Sequence, residues 1–290
     1  MTNREKHGEL VRPDATIRYW MTGPETAPTV VFLHGSTLDH VSWARQVEAL
    51  QEDYRVVVPD LRGHGESTLE GRFEFEAAVG DVLALLDELD AERVALVGLS
   101  LGGNIAQEIV YRSPERADAL VVADATCNTA PRSPLQVPMT VGFLAALTMT
   151  PRDRFMHRAA AVTAEDEEVR RYVREVNEDR SVAEVVQILL SLVNDALHPD
   201  PDYRLPVPTL LIHGDGDRIG DIASSTSEWA AREPLARYVV VPDAGHASNQ
   251  DNPEAFNDAL TAFLADVLPA RPPSRRRRRR LWDRLVRRAA

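Results

Sequence analysis

A single serine, Ser100, lies in a sequence setting that is typical of a catalytic nucleophile. Residues 94–104 read V-A-L-V-G-L-S-L-G-G-N, so an apolar run stops at Gly98 and a helix-like run begins at Ile105. A G-x-S-x-G pattern between a strand and a helix predicts a sharp turn that projects the serine hydroxyl beyond the strand. The flanking residues must be glycine because side chains there would clash with the neighbouring strand and helix. The alternative is a glycine-rich turn with an incidental serine.

Two later loops carry the residue types that would activate such a serine. A serine hydroxyl needs a base at hydrogen-bond distance and an acid that orients the base. The predicted strand at residues 207–212 leads into H-G-D-G-D, which contains Asp215 and Asp217, and the strand at residues 236–241 leads into P-D-A-G-H, which ends at His246. Both loops follow the carboxyl ends of strands, the edge of an open α/β sheet where ligands bind.

Short apolar strands alternate with amphipathic helices on both sides of the serine turn. The pattern predicts strands within residues 8–22, at 30–33, 54–58, 94–97, 119–123, 207–212 and 236–241, and helices at 43–53, 75–89, 105–111, 222–232 and 253–267. Repeated alternation of this kind predicts an α/β protein with a doubly wound, mostly parallel sheet that is buried on both faces.

This alternation stops at residues 131–204. That stretch contains no good strand, several prolines and two helical patterns, at residues 165–176 and 182–196. We therefore predict a helical lid at 131–204, inserted into a core that residues 1–130 and 205–268 form together.

The composition favours an ordinary globular protein in a reducing compartment. Of the 290 residues, 44% are hydrophobic and 27% are charged, which suits one α/β domain with an insertion. The only cysteine, Cys127, excludes an internal disulfide framework and is expected to be a buried structural thiol. The first residues lack the apolar segment of a signal peptide, and the longest near-apolar run, residues 141–149, is too short to span a bilayer. We expect a cytoplasmic protein.

Charge is distributed very unevenly along the chain. Residues 271–290 hold ten Arg and one Asp, which leaves 23 basic and 44 acidic groups in the remainder. An acidic body of this kind repels nucleic acid. In the tail, 269–290, the segment 275–288 has the pattern of a basic amphipathic helix and predicts peripheral binding to an anionic membrane surface. The alternative is a disordered, solubilising tail or one that folds back onto the acidic body.

Five motifs together resemble the α/β-hydrolase fold serine hydrolases, over roughly residues 10–268. They are H-G-S-T, D-L-R-G-H-G-E-S, G-L-S-L-G-G, H-G-D-G-D-R-I and A-G-H-A-S-N-Q-D-N-P-E. A narrower resemblance, carried by the serine turn through A-D-A-T-C-N-T-A, is to 3-oxoadipate enol-lactonases and small carboxylesterases. The related haloalkane dehalogenases and epoxide hydrolases attack with Asp, whereas position 100 is Ser. An ester, lactone or thioester is therefore the expected substrate.

The resemblance also implies roles for particular residues. It makes Ser100 the nucleophile and His246 the base, and it puts the acid at the last Asp of H-G-D-G-D, Asp217. The backbone amides of Ser36 and Leu101 would form the oxyanion hole. Two alternatives for the acid stay open: Asp215 in the same loop, and Asp124 after the strand at residues 119–123. The sequence contains no phosphate loop, dinucleotide fingerprint or metal-ligand cluster, so we expect no cofactor.

Four polar residues near these motifs have simpler, structural interpretations. His34 and His64 are expected to hydrogen-bond to loop backbone rather than act as bases. Asp60 and Arg62 are expected to hold the D-L-R-G-H-G loop together through an ion pair.

Candidate pocket residues are mostly apolar. His40 is a candidate, and Trp43 fits a pocket or the core equally well. The lid supplies six further apolar candidates: Met139, Phe143, Leu144, Leu147, Met149 and Phe155. Few charges lie near them, so we expect a compact, mostly apolar acyl or alcohol group rather than a sugar or phosphate ester. Two alternatives share the same fold: a cofactor-free perhydrolase, in which peroxide replaces water, and a non-catalytic small-molecule receptor.

Overall fold

The structure, a computed structural model, describes residues 6–131 and 136–268 and is built around one twisted sheet. The tail interpretation therefore lies outside the described residues. The strands are β1 (Lys6–Val11), β2 (Ala15–Thr22), β3 (Thr29–Leu33), β4 (Arg55–Pro59), β5 (Thr68–Leu69), β6 (Val94–Leu99), β7 (Ala117–Ala123), β8 (Thr209–Gly214) and β9 (Ala236–Val241). Their order across the sheet is β1-β2-β4-β3-β6-β7-β8-β9, and the short β5 pairs with β2.

The sheet is parallel from β4 to β9 and antiparallel only at the β1–β2 edge. The central strands are buried along their whole length, since every residue of β3, β6 and β8 is inaccessible to solvent. That burial explains why these strands appear in the sequence as continuous apolar runs rather than alternating ones. The predicted fold class, a doubly wound and mostly parallel sheet, is confirmed.

Ten helices lie against the sheet or in the insertion. They are α1 (Ala44–Leu50), α2 (Phe75–Glu88), α3 (Leu101–Arg112), α4 (Gln136–Leu147), α5 (Arg152–Thr163), α6 (Glu167–Glu175), α7 (Val182–Ser191), α8 (Ile222–Arg232), α9 (Ser248–Asp251) and α10 (Pro253–Val267) within the described residues. One apolar cluster joins one face of the sheet to α2 and α3, and a second joins the opposite face to α1 and α10.

The insertion between β7 and β8 consists of α4 to α7, followed by a π-helical turn, Leu192–Ala196. It has a small apolar cluster of its own, formed by Leu144, Phe155, Met156, Val182, Val185 and Val186. Two of its helices, α6 and α7, match the predicted patterns within a few residues. The other two, α4 and α5, were not predicted.

Candidate active site

The turn after β6 holds Ser100 in a strained backbone conformation. Its φ is 51° and its ψ is −117°, a backbone conformation that residues other than glycine rarely adopt. The turn requires two of its glycines, because a Cβ at Gly98 would lie 2.2 Å from the Gly102 carbonyl oxygen, and one at Gly102 would lie 2.1 Å from the Leu33 carbonyl oxygen. The Ser100 amide donates to the Ala123 carbonyl oxygen of β7 at 2.9 Å, which fixes the turn to the sheet.

The loop after β3 comes very close to this serine. A Cβ at Gly35 would lie 3.4 Å from the Cβ of Ser100, so Ser36 is next to a residue that almost touches the nucleophile turn. Leu101 is the first residue of α3, and its amide belongs to the group of N-terminal amides that have no acceptor within the helix. Both amides predicted for the oxyanion hole therefore belong to segments that meet at Ser100.

The loops after β8 and β9 bring His246 and Asp217 together. The Nδ1 atom of His246 lies 3.0 Å from Oδ2 of Asp217, and both side chains are buried. Asp215 points elsewhere, since its Oδ1 accepts from the Ala244 amide at 3.2 Å. Of the two carboxylates in this loop, the one paired with the histidine is therefore Asp217.

This hydrogen bond affects the pKa of His246 and determines which ring nitrogen carries the proton in the neutral form. Burial lowers the pKa of His246, but the hydrogen bond and the charge of Asp217 outweigh it, so the pKa is raised overall. Because Nδ1–H donates to Asp217, the neutral ring has its lone pair on Nε2. The other oxygen of Asp217, Oδ1, accepts from the Ile219 amide at 2.8 Å, which holds the carboxylate in place.

A second carboxyl group, Asp124, lies behind this pair at the end of β7. One oxygen of Asp124, one of Asp217 and a ring nitrogen of His246 all lie within 4.8 Å of one another. Asp124 is fully buried, and it accepts from the Gly214 amide at 2.9 Å and bonds to the Ser248 hydroxyl. Burial raises the pKa of Asp124 to about 8; the charge of His246 opposes this rise, and the nearby Asp217 charge adds to it. A raised pKa favours the protonated, neutral form of this carboxyl group.

Three donors this close would also suit a metal ion by spacing alone. In this case Asp217 is engaged by the ring of His246, and both oxygens of Asp124 are hydrogen-bonded. The arrangement is thus that of a histidine paired with one buried carboxylate, with a second buried carboxyl group behind them.

The state of Asp124 predicts an unusual dependence of stability on pH. Its pKa lies near 3.8 when unfolded and about 8 when folded, so the unfolded chain binds fewer protons between these values and stability falls as pH rises. Asp124→Asn removes this titration and preserves a neutral group of the same shape. Between pH 5 and pH 8 the variant should gain roughly 3–4 kcal/mol in free energy of unfolding relative to the parent, by urea titration. Parallel pH profiles for the two proteins would contradict the protonated state.

The two structural histidines contact loop backbone as predicted. In His34, Nδ1–H donates to the Gly35 carbonyl oxygen at 2.8 Å and Nε2 accepts from the Leu61 amide at 2.9 Å. In His64, Nδ1–H donates to the Arg62 carbonyl oxygen at 2.9 Å. Burial lowers the pKa of both rings, which favours their neutral form.

The predicted ion pair between Asp60 and Arg62 is wrong. Arg62 pairs instead with Asp81 at 2.7 Å and with Asp14 at 2.9 Å. Asp60 accepts from the amide of Glu66 in its own loop and from the amide of His40 in the segment after β3, both at 2.7 Å. The two side chains therefore hold different elements: Arg62 joins the loop to α2, and Asp60 joins it to the segment after β3.

His40 and Trp43 lie in different places. The ring of His40 stacks on Trp20 with 3.4 Å between centroids and bonds to Asp60 at 3.0 Å. It lines a groove of about 310 Å³ whose lining includes neither Ser100 nor His246. Trp43 is fully buried and packs against Phe32, so it is a core residue, which was one of its two interpretations.

The predicted pocket residues of the insertion differ in exposure. Met139 and Phe143 are 70% and 64% exposed on α4, whereas Leu147 packs against the apolar cluster of the insertion. Their contact with a substrate stays a prediction. The thiol of Cys127 is buried, as expected.

Sequence patterns missed the contacts between the insertion and the loop after β3. The hydroxyl of Tyr172 on α6 donates to Asp39 Oδ1 at 2.7 Å. Asn177, just beyond α6, donates from Nδ2 to the Thr37 carbonyl oxygen at 2.8 Å. No local signal could have found these contacts, because each joins residues more than 130 positions apart.

Comparison with known proteins agrees with this fold. Residues 30–259 match the family described as "Alpha/beta hydrolase family". The chain is 27% identical over 276 residues to 3-oxoadipate enol-lactonase 1 of Acinetobacter baylyi, covering 88% of this chain and 96% of that one. It is 28% identical to a pimeloyl-[acyl-carrier protein] methyl ester esterase of Pectobacterium carotovorum, covering 84% and 97%. A malate-bound structure of an esterase from Thermogutta terrifontis superposes with a TM-score of 0.77 at 25% identity, covering 91% and 99%.

The chain thus belongs to the α/β-hydrolase family, and enol-lactonases and esterases are among its relatives. Membership supports hydrolase activity on small ester or lactone substrates. No helix in the described part of the chain is both long and apolar enough to cross a membrane.

Proposed function

We propose that the protein is a serine hydrolase that cleaves an ester, lactone or thioester bond of a small, mostly apolar substrate through an acyl-enzyme intermediate. The observation that carries this proposal is the 3.0 Å hydrogen bond between His246 Nδ1 and Asp217 Oδ2, at the same sheet edge as the strained Ser100 turn. A histidine oriented by a buried carboxylate, at the same sheet edge as a serine at strained backbone angles, is the arrangement expected for acyl transfer.

In the first half of the reaction, Ser100 Oγ attacks the substrate carbonyl carbon while its proton passes to Nε2 of His246. Asp217 stabilises the imidazolium that forms. The amides of Ser36 and Leu101 donate to the oxyanion of the tetrahedral intermediate. As the intermediate collapses, His246 gives its proton to the departing oxygen or sulfur, and the acyl group stays on Ser100.

Water completes the cycle by the same route. Nε2 of His246 takes a proton from water, the resulting hydroxide attacks the acyl carbon, and the second tetrahedral intermediate forms. His246 then returns the proton to Ser100 Oγ, and the carboxylic acid leaves. Protons and electron pairs balance over the cycle, so no step needs a cofactor.

A fluorophosphonate probe tests this proposal directly, because it reacts with an activated serine hydroxyl and not with an ordinary one. We expect one equivalent of label on Ser100, located by peptide mass spectrometry. The rate of labelling should rise with pH as His246 loses its proton, and its midpoint should lie above the ordinary histidine value because the pKa is raised.

Two results would contradict the proposal. Absence of labelling on a folded protein would favour a non-catalytic receptor of the same fold. Equal labelling of the parent and Ser100→Ala would show that another residue reacts. A perhydrolase would label in the same way, but would form peracid from a carboxylic acid and peroxide faster than it hydrolyses esters.

A further inference from the structure

The turn between α6 and α7, residues 176–181, lies against the loops that follow β3 and β4. Asn177 Nδ2 donates to the Thr37 carbonyl oxygen at 2.8 Å, one residue beyond Ser36. Arg180 Nη2 donates to the Gly63 carbonyl oxygen at 2.8 Å, next to His64. Gly35, at the other end of the same loop, is the residue that almost touches Ser100. The α6–α7 turn therefore borders the predicted oxyanion hole.

Arg180 is a half-buried cation that lacks an anionic partner. In the part of the chain that the structure describes, its guanidinium bonds to the Gly63 carbonyl oxygen and forms no ion pair. Glu184, one turn into α7, bonds instead to the amide and hydroxyl of Ser181. Loss of water around the guanidinium lowers the pKa of Arg180, and the more distant charge of Glu184 opposes this only in part. Taking a charge out of water without a partner is costly, and an arriving anion would offset that cost.

The α6–α7 turn and the two loops that it contacts contain polar atoms that use none of their hydrogen-bonding capacity. Ser36 Oγ, His64 Nε2 and Asn177 Oδ1 are buried and have no hydrogen-bond partner among the described residues. His64 and Asn177 are only 1% and 2% exposed. Buried polar groups in folded proteins are nearly always paired, with protein, water or ligand. His64 also interacts electrostatically with Arg180, so a buried acceptor without a hydrogen-bond partner lies near an arginine without an anion.

We propose that Arg180 binds a carboxylate group of the substrate, so that the ester or lactone carries a free carboxylate at the end that lies under the α6–α7 turn. A guanidinium presents two parallel N–H groups that match a planar carboxylate. Ser36 Oγ supplies a further donor, and His64 Nε2, an acceptor, suits a hydroxyl or an ordered water beside it. The proposal rests on the proposed function and deepens it. The apolar character expected from the sequence then describes the body of the substrate but not this end.

Matched ester pairs test the proposal. Mono-p-nitrophenyl esters of succinic, glutaric and adipic acid differ from neutral p-nitrophenyl esters of the same chain length only in the terminal carboxylate. We expect Arg180→Gln to lower kcat/KM for the best carboxylate ester about ten- to hundredfold, with the neutral ester changed less than about twofold. Arg180→Lys should recover part of the loss, since it keeps the charge but not the two parallel donors.

A matched control is available in the same insertion. Arg158 on α5 is exposed, and Arg158→Gln removes one positive charge from the surface of the insertion. This control should leave both classes of ester unchanged. Equal losses on both classes in Arg180→Gln, or no loss on either, would overturn the proposal. So would a parent enzyme that prefers the neutral esters at every chain length.

A binding measurement separates this proposal from the proposed function. Calorimetric titration with glutarate reports on the Arg180 site without any turnover. Binding to the parent that Arg180→Gln weakens at least about tenfold would support the site even if no ester were cleaved. Ester cleavage and Ser100 labelling without glutarate binding would leave the hydrolase proposal intact and overturn this one.

Discussion

Ser100→Ala should abolish nearly all ester hydrolysis while leaving the fold intact. The expected loss in kcat for a short-chain p-nitrophenyl ester is about 10⁴-fold or more, because no other group can form the acyl-enzyme intermediate. Alanine keeps the Cβ of the residue, so the variant still meets the backbone strain of the turn, where φ is 51°. Only the hydroxyl oxygen is removed.

A matched serine elsewhere controls for the substitution itself. Ser227 lies exposed on α8, and Ser227→Ala should hydrolyse the ester at the parent rate. Thermal unfolding of Ser100→Ala should match that of the parent within a few degrees. If Ser100→Ala retains a tenth or more of the parent activity, the nucleophile is a different residue and the acyl-enzyme mechanism fails with it.

Sequence patterns predicted the sheet well because its central strands are buried on both faces. Such strands must be apolar along their whole length, so β3, β6 and β8 are visible as continuous runs in the sequence. The serine turn is equally visible, because its close backbone contacts leave room only for glycine at positions 98 and 102. In both cases a local constraint determines the residue type.

The insertion was harder to predict because its helices lack such constraints. α4 has Pro138 in its first turn and Gly142 in its interior, where glycine disfavours a helix, and it exposes Met139 and Phe143 instead of burying one apolar stripe. The partner of Arg62 was also beyond local patterns. The nearest carboxylate in sequence, Asp60, bonds to the amides of His40 and Glu66, whereas Asp81 approaches from α2.

Some contacts of the polar residues around the site were predictable from the sequence, and others were not. His246 and Asp217 each follow a predicted strand, so their meeting at one sheet edge was predictable. The roles we infer for Arg180 and Asn177 depend on how the α6–α7 turn lies on the loops after β3 and β4. That placement depends on tertiary structure, and no spacing in the sequence predicts it.

Asp217→Asn should lower kcat/KM by about 10²- to 10⁴-fold, through the tautomer of His246. The Ile219 amide donates to Oδ1 of Asp217 at 2.8 Å, so an asparagine would keep its carbonyl oxygen there and turn its NH₂ group toward Nδ1 of His246. The ring must then accept at Nδ1 and carry its proton on Nε2, where it cannot take the proton of Ser100. The loss of the carboxylate also lowers the pKa of His246, so the rising limb of the pH–rate profile should move to lower pH.

Asp215→Asn is the matched control, because the two carboxylates share one loop but only Asp217 meets the histidine. Asp215 is exposed and accepts a single hydrogen bond, from the Ala244 amide at 3.2 Å, which an asparagine oxygen can also accept. Its kcat/KM should therefore stay within about threefold of the parent, since exposed polar substitutions away from a site have small effects. Kinetics of the two variants over pH 5–9 decide between the carboxylates. A larger loss in Asp215→Asn would show that the acid is Asp215, and that the hydrogen bond between Asp217 and His246 does not govern catalysis.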